Sequence, residues 1–185
     1  VKLAALAKAG DFEAIKKMPG GTFVRSPAWL AGAIYNGRIA PVAPYGICGA
    51  IWYQAESNCG RGEDPRDYRH KQRALVQGWR QAWNNENLPF FYVQLPQWRS
   101  YAWTYAREEQ LRAMEVDGTG MAVTIDLDNA NDIHPPNKID VGERLARWPL
   151  AKLYGKKIPF SGPLFRDAKI RDAEVVVRFE YAKGG

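Results

Sequence analysis

Three segments of the chain are almost continuously apolar, and each is followed by a polar loop and then by a stretch whose apolar residues recur at helical spacing. The three segments cover residues 45–54, 90–95 and 121–127. Short runs that are hydrophobic at successive positions are typical of strands buried on both faces of a parallel sheet. The repeated order of strand, loop and helix therefore predicts an α/β protein.

The helix that follows the first strand has the clearest start. It is predicted over residues 64–83, where Asp64 can cap the first turn and Pro65 suits the first helical position. Its apolar residues lie on one stripe, as expected for a helix that packs on a sheet. The other helices are predicted over residues 1–17, 28–39, 103–114 and 137–155.

The pattern changes near the end of the chain. Pro149 interrupts the last predicted helix and is expected to kink it, or to end it near Trp148, because proline cannot donate the helical hydrogen bond. Apolar and polar residues then alternate over two short stretches, which is typical of half-buried strands. These stretches cover residues 164–170 and 174–181 and are expected to begin an all-β appendage.

Composition excludes several classes of protein. Hydrophobic residues make up 46% of the chain and charged residues 25%, which is ordinary for a globular protein and too apolar for disorder. No stretch approaches about 18 uncharged apolar residues, so no membrane span is expected. The net charge is +6, and residues 151–185 carry eight Lys and Arg against four Asp and Glu. Because these basic residues form no motif-bearing face with stacking aromatics, we expect no nucleic-acid partner.

The two cysteines cannot form a disulfide framework, and no spacing of His and Cys suits zinc. Cys48 lies in an apolar run and is expected to be a small buried core residue. A single bridge between Cys48 and Cys59 is conceivable, but the more frequent outcome for such a pair is two free thiols. No metal site is predicted.

The loops that follow the three strands are the places to look for chemistry, because ligands of open parallel sheets bind at the carboxyl ends of the strands. These loops cover residues 54–63, 94–101 and 126–137. The third contains His134, and Asp132 stands two residues before it. The pair fits a general base and the carboxylate that orients it. The alternative is that His134 is a surface histidine beside polar residues that cap the next helix. The other histidine, His70 on the first flanking helix, is expected to be solvated without a catalytic role.

The first loop leaves its strand with four hydrogen-bonding side chains among the five residues of the sequence QAESN. The carboxamide of Gln54 could donate an N–H to an oxyanion, and Ser57 could be a nucleophile at a strand end. The alternative is a polar turn whose side chains cap their own backbone.

Four blocks of the sequence resemble the sialate O-acetylesterase family, a branch of the SGNH hydrolases. The first is GAIWYQAESN at residues 49–58, which is similar to the family's G-x-I-W-Y-Q-G-E-S-N block. The other three are AIYNGRIAP at 33–41, LPFFYVQL at 88–95 and NDIHPPNK at 131–138, and they follow in the family's order. The segment SGP at 161–163 is similar to the stretch that leads into the family's closing β-domain. The resemblance covers the chain from about residue 30 onward.

The resemblance implies a three-layer α/β/α sandwich of the flavodoxin-like kind and hydrolysis of O-acetyl esters on sugars through a serine nucleophile and a histidine base. By position, His134 is the base, Asp132 its partner, and Gln54 an oxyanion-hole amide. Residues implied to shape the substrate loop are Glu56, Ser57 and Asn58, and Trp98 is a candidate for stacking on a sugar ring. Neither a metal nor an organic cofactor is implied, and the partner is an O-acetylated sugar or glycan.

Two positions depart from the family pattern. Ala55 stands where the family has glycine, so a positive φ at this turn would be strained. The superfamily places its aspartate three residues before the histidine, where this chain has Asn131. The orienting group of the histidine is therefore either Asp132 or another group.

The nucleophile itself is not found among the matched blocks. The family carries it in a G-Q-S-N block on the first strand of the hydrolase domain, upstream of everything matched here. The surroundings of Ser57 match the later Q-G-E-S-N block instead. Because the chain starts with Val1 and ends on a strand-like segment, both ends read as cuts. We therefore expect the serine to lie outside these 185 residues, and the isolated chain to be inactive.

Taken together, the sequence predicts part of a carbohydrate O-acetylesterase. Residues 1–30 are expected to be an upstream segment, 31–158 the C-terminal part of an SGNH-type hydrolase domain, and 159–185 the start of a β-sandwich-like appendage. Sialic acid is the expected sugar. The alternatives are an acetylxylan or other polysaccharide acetylesterase, and a carbohydrate-binding module without hydrolysis. Family resemblance favours an exported protein, whereas compartment and oligomeric state are not predicted.

Overall fold

The computed structural model describes Ala14 and residues 32–60, 62–127, 131–134 and 136–182. The chain divides into two compact units, one of residues 1–47 with 82–84 and the other of residues 48–81 with 85–185. In the first unit, most of the helix predicted over residues 1–17 lies outside the described residues, apart from the helical Ala14. Of the helix predicted over residues 28–39, the described part contains a π-helix, Tyr35–Ile39.

The second unit is built on a parallel sheet of three strands, which confirms the predicted α/β class. These are β1 (Ala50–Trp52), β2 (Phe90–Val93) and β3 (Thr119–Ala122), in the order β1-β2-β3. Both pairs are parallel, with Ala50 beside Phe90 and Phe90 beside Thr119. All three carboxyl ends therefore meet at one edge of the sheet.

The expectation that each strand is buried on both faces is confirmed for β2 and wrong for β1. All four residues of the central strand β2 are buried. In contrast, β1 has only three residues at an edge of the described sheet, and 67% of Ile51 is exposed. Cys48, expected in the core, is exposed just before β1. The apolar run therefore predicted where the strand lies but not how far it is buried. An edge strand has a neighbouring strand on only one side, so less of it is covered.

Three helices follow the strands at the predicted places. They are α1 (Tyr68–Ala82), α2 (Ala102–Arg112) and α3 (Lys138–Lys152). Asp64 caps the 3-10 turn Pro65–Asp67 that leads into α1, and its side chain accepts a hydrogen bond from Arg66 N. The expected end of α3 near Trp148 is wrong, because the helix continues past Pro149 to Lys152. Pro149 still contributes an acceptor there, since its carbonyl receives the N–H groups of Leu153 and Tyr154.

Alternate residues of the central strand pack into two separate hydrophobic clusters. Phe91 and Val93 pack with Trp148 and other residues of α3, whereas Phe90 and Tyr92 pack with Val76 of α1. Since successive side chains of a strand point to opposite faces, the helices cover both faces of the sheet. The arrangement is the predicted three-layer α/β/α sandwich.

The last described element is an antiparallel hairpin of β4 (Leu164–Arg171) and β5 (Glu174–Glu180), which confirms the two predicted alternating strands. Arg178 on β5 donates two hydrogen bonds to Asp167 on β4, at 2.8 and 2.9 Å. In the described part of the chain, no helix has the length and apolarity needed to cross a membrane.

Candidate active site

Gln54 lies two residues beyond β1 and is held by two neighbours. Its Nε2 donates to Oδ1 of Asn58 at 2.8 Å, and the Tyr68 hydroxyl donates to the Gln54 carbonyl oxygen at 2.9 Å. The hydroxyl also lies 3.3 Å from Oε1 of Gln54. Because Tyr68 is almost completely buried at the start of α1, burial raises its pKa and the hydroxyl stays a donor. The carboxamide of Gln54 therefore has a defined orientation, with one Nε2 hydrogen engaged by Asn58.

A charged pair on the surface fixes Asn58 in turn. Asn58 Nδ2 donates to Oε2 of Glu63 at 2.6 Å, and Lys71 Nζ reaches the same oxygen at 2.5 Å. The hydrogen bond from Lys71 is the largest cause that lowers the pKa of Glu63, and the one from Asn58 is the next. The glutamate is thus an ionised anchor for the loop after β1.

Ala55 fits the position where the family pattern has glycine. Its φ is 161°, which is extended backbone and not the left-handed region, so the strain anticipated from the sequence does not arise. Its methyl group is fully buried, packed with Tyr68 and Leu95. Its N–H donates to Oε2 of Glu56 at 2.9 Å, while Ser57 is exposed in the 3-10 turn that follows. Glu56 therefore hydrogen-bonds to the backbone of its own turn.

A buried glutamine that the sequence reasoning missed connects the first two loops. Gln110 on α2 is 1% exposed. Its Oε1 accepts a hydrogen bond from Leu95 N at 2.9 Å, while its Nε2 donates to the carbonyls of Val93 at 3.2 Å and Gln54 at 3.4 Å. The sequence could have revealed Gln110, because it is an amide residue on the buried stripe of an amphipathic helix. A buried amide must find hydrogen-bond partners.

The third loop carries the predicted base and its partner. Asp132 Oδ1 accepts a hydrogen bond from His134 N at 2.8 Å and lies 3.4 Å from His134 Nδ1. Both side chains are exposed, at 82% for His134 and 60% for Asp132. Asn131, which stands where the superfamily has its aspartate, instead accepts a hydrogen bond from Arg99. Asp132 contacts the imidazole.

Residues from all three loops pack into one hydrophobic cluster. The cluster has Ala55 from the first loop, Leu95 and Trp98 from the second and Ile133 from the third. Ile133 directly precedes His134, so its packing ties this part of the third loop to the loop that carries Gln54. The structure thus brings segments of all three loops together, although Trp98 is itself partly buried against Trp103, with ring centroids 6.1 Å apart.

A bidentate ion pair also secures the start of the third loop. Arg144 on α3 donates to both carboxylate oxygens of Asp126, at 2.6 and 2.7 Å, and to the carbonyl of Val123 at 2.9 Å. The hydrogen bonds from Arg144 lower the pKa of Asp126. The loop is thereby tied to the helix that follows it.

Cys59 belongs to the same cluster and donates from Sγ to the carbonyl of Ala55 at 3.3 Å. Burial is the main cause that raises the pKa of its thiol to about 11, so it is protonated at neutral pH. Both cysteines are free, and the conceivable bridge to Cys48 is not formed. No group of three or more His, Cys, Asp and Glu in the described ranges is placed to hold a metal.

Comparisons with known proteins match this chain to carbohydrate esterases. The family model for carbohydrate esterases described as sialic acid-specific acetylesterase matches residues 15–150. The chain is 30% identical to the sialate O-acetylesterase of Rattus norvegicus and 29% identical to that of Homo sapiens, each over 154 residues and 71% of this chain. A crystal structure of a carbohydrate acetylesterase from Xanthomonas citri superposes with a TM-score of 0.74 at 35% identity, over 80% of this chain.

The chain matches only part of each relative. It spans 28% of the rat protein, 29% of the human protein and 35% of the chain in the Xanthomonas citri crystal structure.

Proposed function

Because the chain belongs to the sialic acid-specific acetylesterase family of carbohydrate esterases, we propose that it supplies the base and the oxyanion amide of a serine-dependent carbohydrate O-acetylesterase that acts on O-acetylated sialic acid. The observation that supports this most directly is the shared cluster of Ala55, Leu95 and Ile133. It joins the residue after Gln54 to the residue before His134. Ester hydrolysis needs a base that reaches the attacking hydroxyl and a donor that reaches the carbonyl oxygen.

The proposed reaction is acyl transfer in two steps. His134 takes the proton of a serine hydroxyl while the serine oxygen attacks the acetyl carbonyl. The carbonyl oxygen becomes an oxyanion, and the second Nε2 hydrogen of Gln54 is available to it because Asn58 engages only the other. The intermediate then releases the sugar hydroxyl, which receives its proton from His134. Water, deprotonated by His134, cleaves the acetyl-serine to acetate and free serine.

The serine is proposed to lie outside these 185 residues. Ser57 is exposed in the turn Glu56–Asn58 and stands in the block that resembles a later part of the family pattern. Its replacement separates the two possibilities. If Ser57→Ala retains activity, the nucleophile is elsewhere, whereas a loss of activity with the fold intact would make Ser57 the nucleophile.

The domain organisation predicted from the sequence is also part of the proposal. Residues 31–158 form the C-terminal part of the hydrolase domain, and the hairpin within residues 159–185 begins a β-sandwich-like domain. Support for the second assignment is the exposed apolar side chains of the hairpin, among them Phe165, Ile170 and Phe179. A two-stranded hairpin gains independent stability only when further strands or helices cover such a face.

The test is release of acetate from O-acetylated sialic acid by the intact protein that contains this chain. His134→Ala and Gln54→Ala are each expected to lower kcat, the second by about 10²–10³-fold if it removes an oxyanion donor. His70→Ala is the matched control, because the chain has only two histidines and His70 is an exposed residue of α1. Full activity in both site variants would contradict the proposal. Preference for acetylated xylan over acetylated sialic acid would support the proposed esterase activity but identify a different substrate.

A further inference from the structure

Arg99 is an exposed arginine of the second loop that reaches the third loop. Its guanidinium donates a hydrogen bond to Oδ1 of Asn131, which stands three residues before His134 in the same loop. Within the described ranges, this is the only hydrogen bond of the Arg99 side chain, and no carboxylate forms an ion pair with it. The positive charge is therefore not neutralised by the described residues, and further N–H groups of the guanidinium fork are available to a ligand.

The backbone on both sides of Arg99 is held in place. Trp98, directly before it, packs against the hydrophobic cluster that joins the three loops. On the other side, the carbonyl of Ser100 accepts a hydrogen bond from Trp103 N at 3.1 Å. Because the loop is fixed at both neighbours of Arg99, less conformational entropy is lost when a ligand binds the side chain.

The same loop ends on an exposed aromatic ring. Tyr101, two residues after Arg99, is 74% exposed. Its ring meets that of Tyr105 edge to face, with centroids 5.1 Å apart, and the two hydroxyls lie 2.9 Å from each other. Trp98, which the sequence suggested for stacking on a sugar, is instead partly buried. Tyr101 is therefore the aromatic residue of this loop that offers the most open apolar surface to a sugar ring.

A guanidinium without an acidic partner favours an anionic ligand. Its planar fork matches a carboxylate, which it can bind through two parallel hydrogen bonds. Sialic acid carries a carboxylate, whereas the xylose units of acetylxylan are neutral. In sialic acid several bonds separate this carboxylate from the exocyclic hydroxyls that can be acetylated, so its binding group must lie near the base without contacting it. Arg99 meets this requirement, because its partner Asn131 belongs to the loop of His134.

We propose that Arg99 binds the carboxylate of an acetylated sugar acid and thereby determines a preference for sialic acid over neutral sugars. Tyr101 contributes apolar contact to the same sugar. The inference rests on the proposed function, since it assigns a substrate-binding residue to the same site. Arg99 has no part in the proton transfers, so its contribution is to KM and not to kcat.

The experiment compares two substrates that differ only in this charge. They are O-acetylated N-acetylneuraminic acid and its analogue with a neutral carboxamide in place of the carboxylate. Acetate release by the intact protein at low ionic strength should show a KM about fivefold lower for the acid, the upper range for an exposed ion pair, with similar kcat values. At about 1 M salt the preference should largely disappear, because charges are then screened within about 3 Å. Equal KM values at low ionic strength overturn the inference.

Variants show whether Arg99 is the cause. Arg99→Gln should raise KM for the acid about fivefold and leave KM for the carboxamide unchanged. Arg171→Gln is the matched control, since Arg171 is an exposed arginine of the hairpin strand β4, and it should retain the preference. Tyr101→Ala should raise both KM values by the same factor, because its ring does not distinguish the charges. An undiminished preference in Arg99→Gln contradicts the proposal, and unchanged KM values in Tyr101→Ala contradict the contact assigned to Tyr101.

A purely structural role of Arg99 would give a different result. If Arg99 only positions the third loop through Asn131, Arg99→Gln lowers kcat for both substrates by the same factor and leaves the ratio of their KM values unchanged. That outcome overturns the inference. Arg99→Lys keeps the charge without the planar fork and should recover part of the preference that Arg99→Gln loses. Urea denaturation of each variant shows that the fold is intact.

Failure of this inference is distinguishable from failure of the proposed function. Free N-acetylneuraminic acid and its carboxamide, neither of which carries an O-acetyl group, are titrated into the intact protein and followed by NMR. Tighter binding of the acid that depends on Arg99, without release of acetate from any ester, would contradict the esterase and support the carboxylate subsite. Release of acetate with equal KM values from the acetylated acid and carboxamide would support the esterase and overturn the subsite.

Discussion

Asp132 contacts His134 twice, through a hydrogen bond of 2.8 Å to its backbone N–H and through an approach of 3.4 Å to its Nδ1. One carboxylate thus sets both the turn of the backbone and the environment of the ring. Because Nδ1 is directed to the carboxylate, Nε2 is the ring nitrogen that can act as the proposed base.

Replacement of that carboxylate is expected to slow the reaction without abolishing it. Asp132→Asn should lower kcat about 10- to 100-fold, less than the roughly 10⁴-fold effect of a buried aspartate in serine proteases, because solvent screens an exposed pair. The measurement is kcat against pH in the intact protein. Asp117→Asn, at another exposed aspartate, is the control. An unchanged kcat and pH profile would show that another group orients the imidazole.

The Glu63 anchor predicts a dependence of stability on pH. Its hydrogen bonds with Lys71 and Asn58 lower its pKa in the folded state below the ordinary value of 4.5. A lowered pKa stabilises the fold above the unfolded-state pKa, and the contribution is lost as the pH falls through the folded-state pKa. The free energy of unfolding of the native protein should therefore exceed that of Glu63→Gln at pH 6–7.

The difference should be below about 1 kcal/mol, because the pair is exposed, and it should shrink as the pH falls through the folded-state pKa, which lies below 4.5. Urea denaturation over a pH series that starts at neutral pH measures it. Glu86→Gln, at an exposed glutamate outside this network, should show no such trend. A difference that grows toward low pH would contradict the assignment.

The two cysteines should differ sharply in reactivity. With a pKa of about 11, only about one Cys59 thiol in a thousand is ionised at pH 8, and the thiolate is the reactive form. Cys48, by contrast, is exposed. Iodoacetamide at pH 8 followed by peptide mass spectrometry should label Cys48 at least about a hundredfold faster than Cys59 in the folded protein. Cys48→Ser and Cys59→Ser identify each adduct, and equal rates in urea show that the fold causes the difference.

Gly120 in β3 meets the indole of Trp148 so closely that a side chain has no room. A Cβ at Gly120 would lie 2.3 Å from Cε3 of Trp148, and the indole is itself held by a 3.0 Å hydrogen bond to the carbonyl of Met121. Gly120→Ala should therefore lower the free energy of unfolding by about 2–3 kcal/mol.

Gly142, in the helix α3, has open space around the same position and provides the control. Gly142→Ala should raise stability by about 0.5–1 kcal/mol, because alanine has the higher helix propensity. Chemical denaturation of both variants tests the pair. A neutral Gly120→Ala would mean that α3 can move away from the sheet at little cost.

Part of the fold and of the candidate site followed directly from local sequence. The parallel α/β class, the cap at Asp64 ahead of α1 and the alternating hairpin were all predicted from the spacing of apolar and capping residues. The placement of Gln54 and of His134 with Asp132 in loops after parallel strands was predicted in the same way, whereas their catalytic roles stay predictions. Each of these features depends on neighbours that are close in the chain.

Other features were decided only by tertiary contacts. The exposure of Cys48 and Ile51 depends on β1 lying at an edge of the described sheet, which no local pattern reports. The role of Gln110 depends on backbone groups 15 to 56 positions away. Local hydrophobicity and capping residues indicate where strands and helices form. Burial and hydrogen-bond partners depend on which distant segments meet, and only the folded chain determines them.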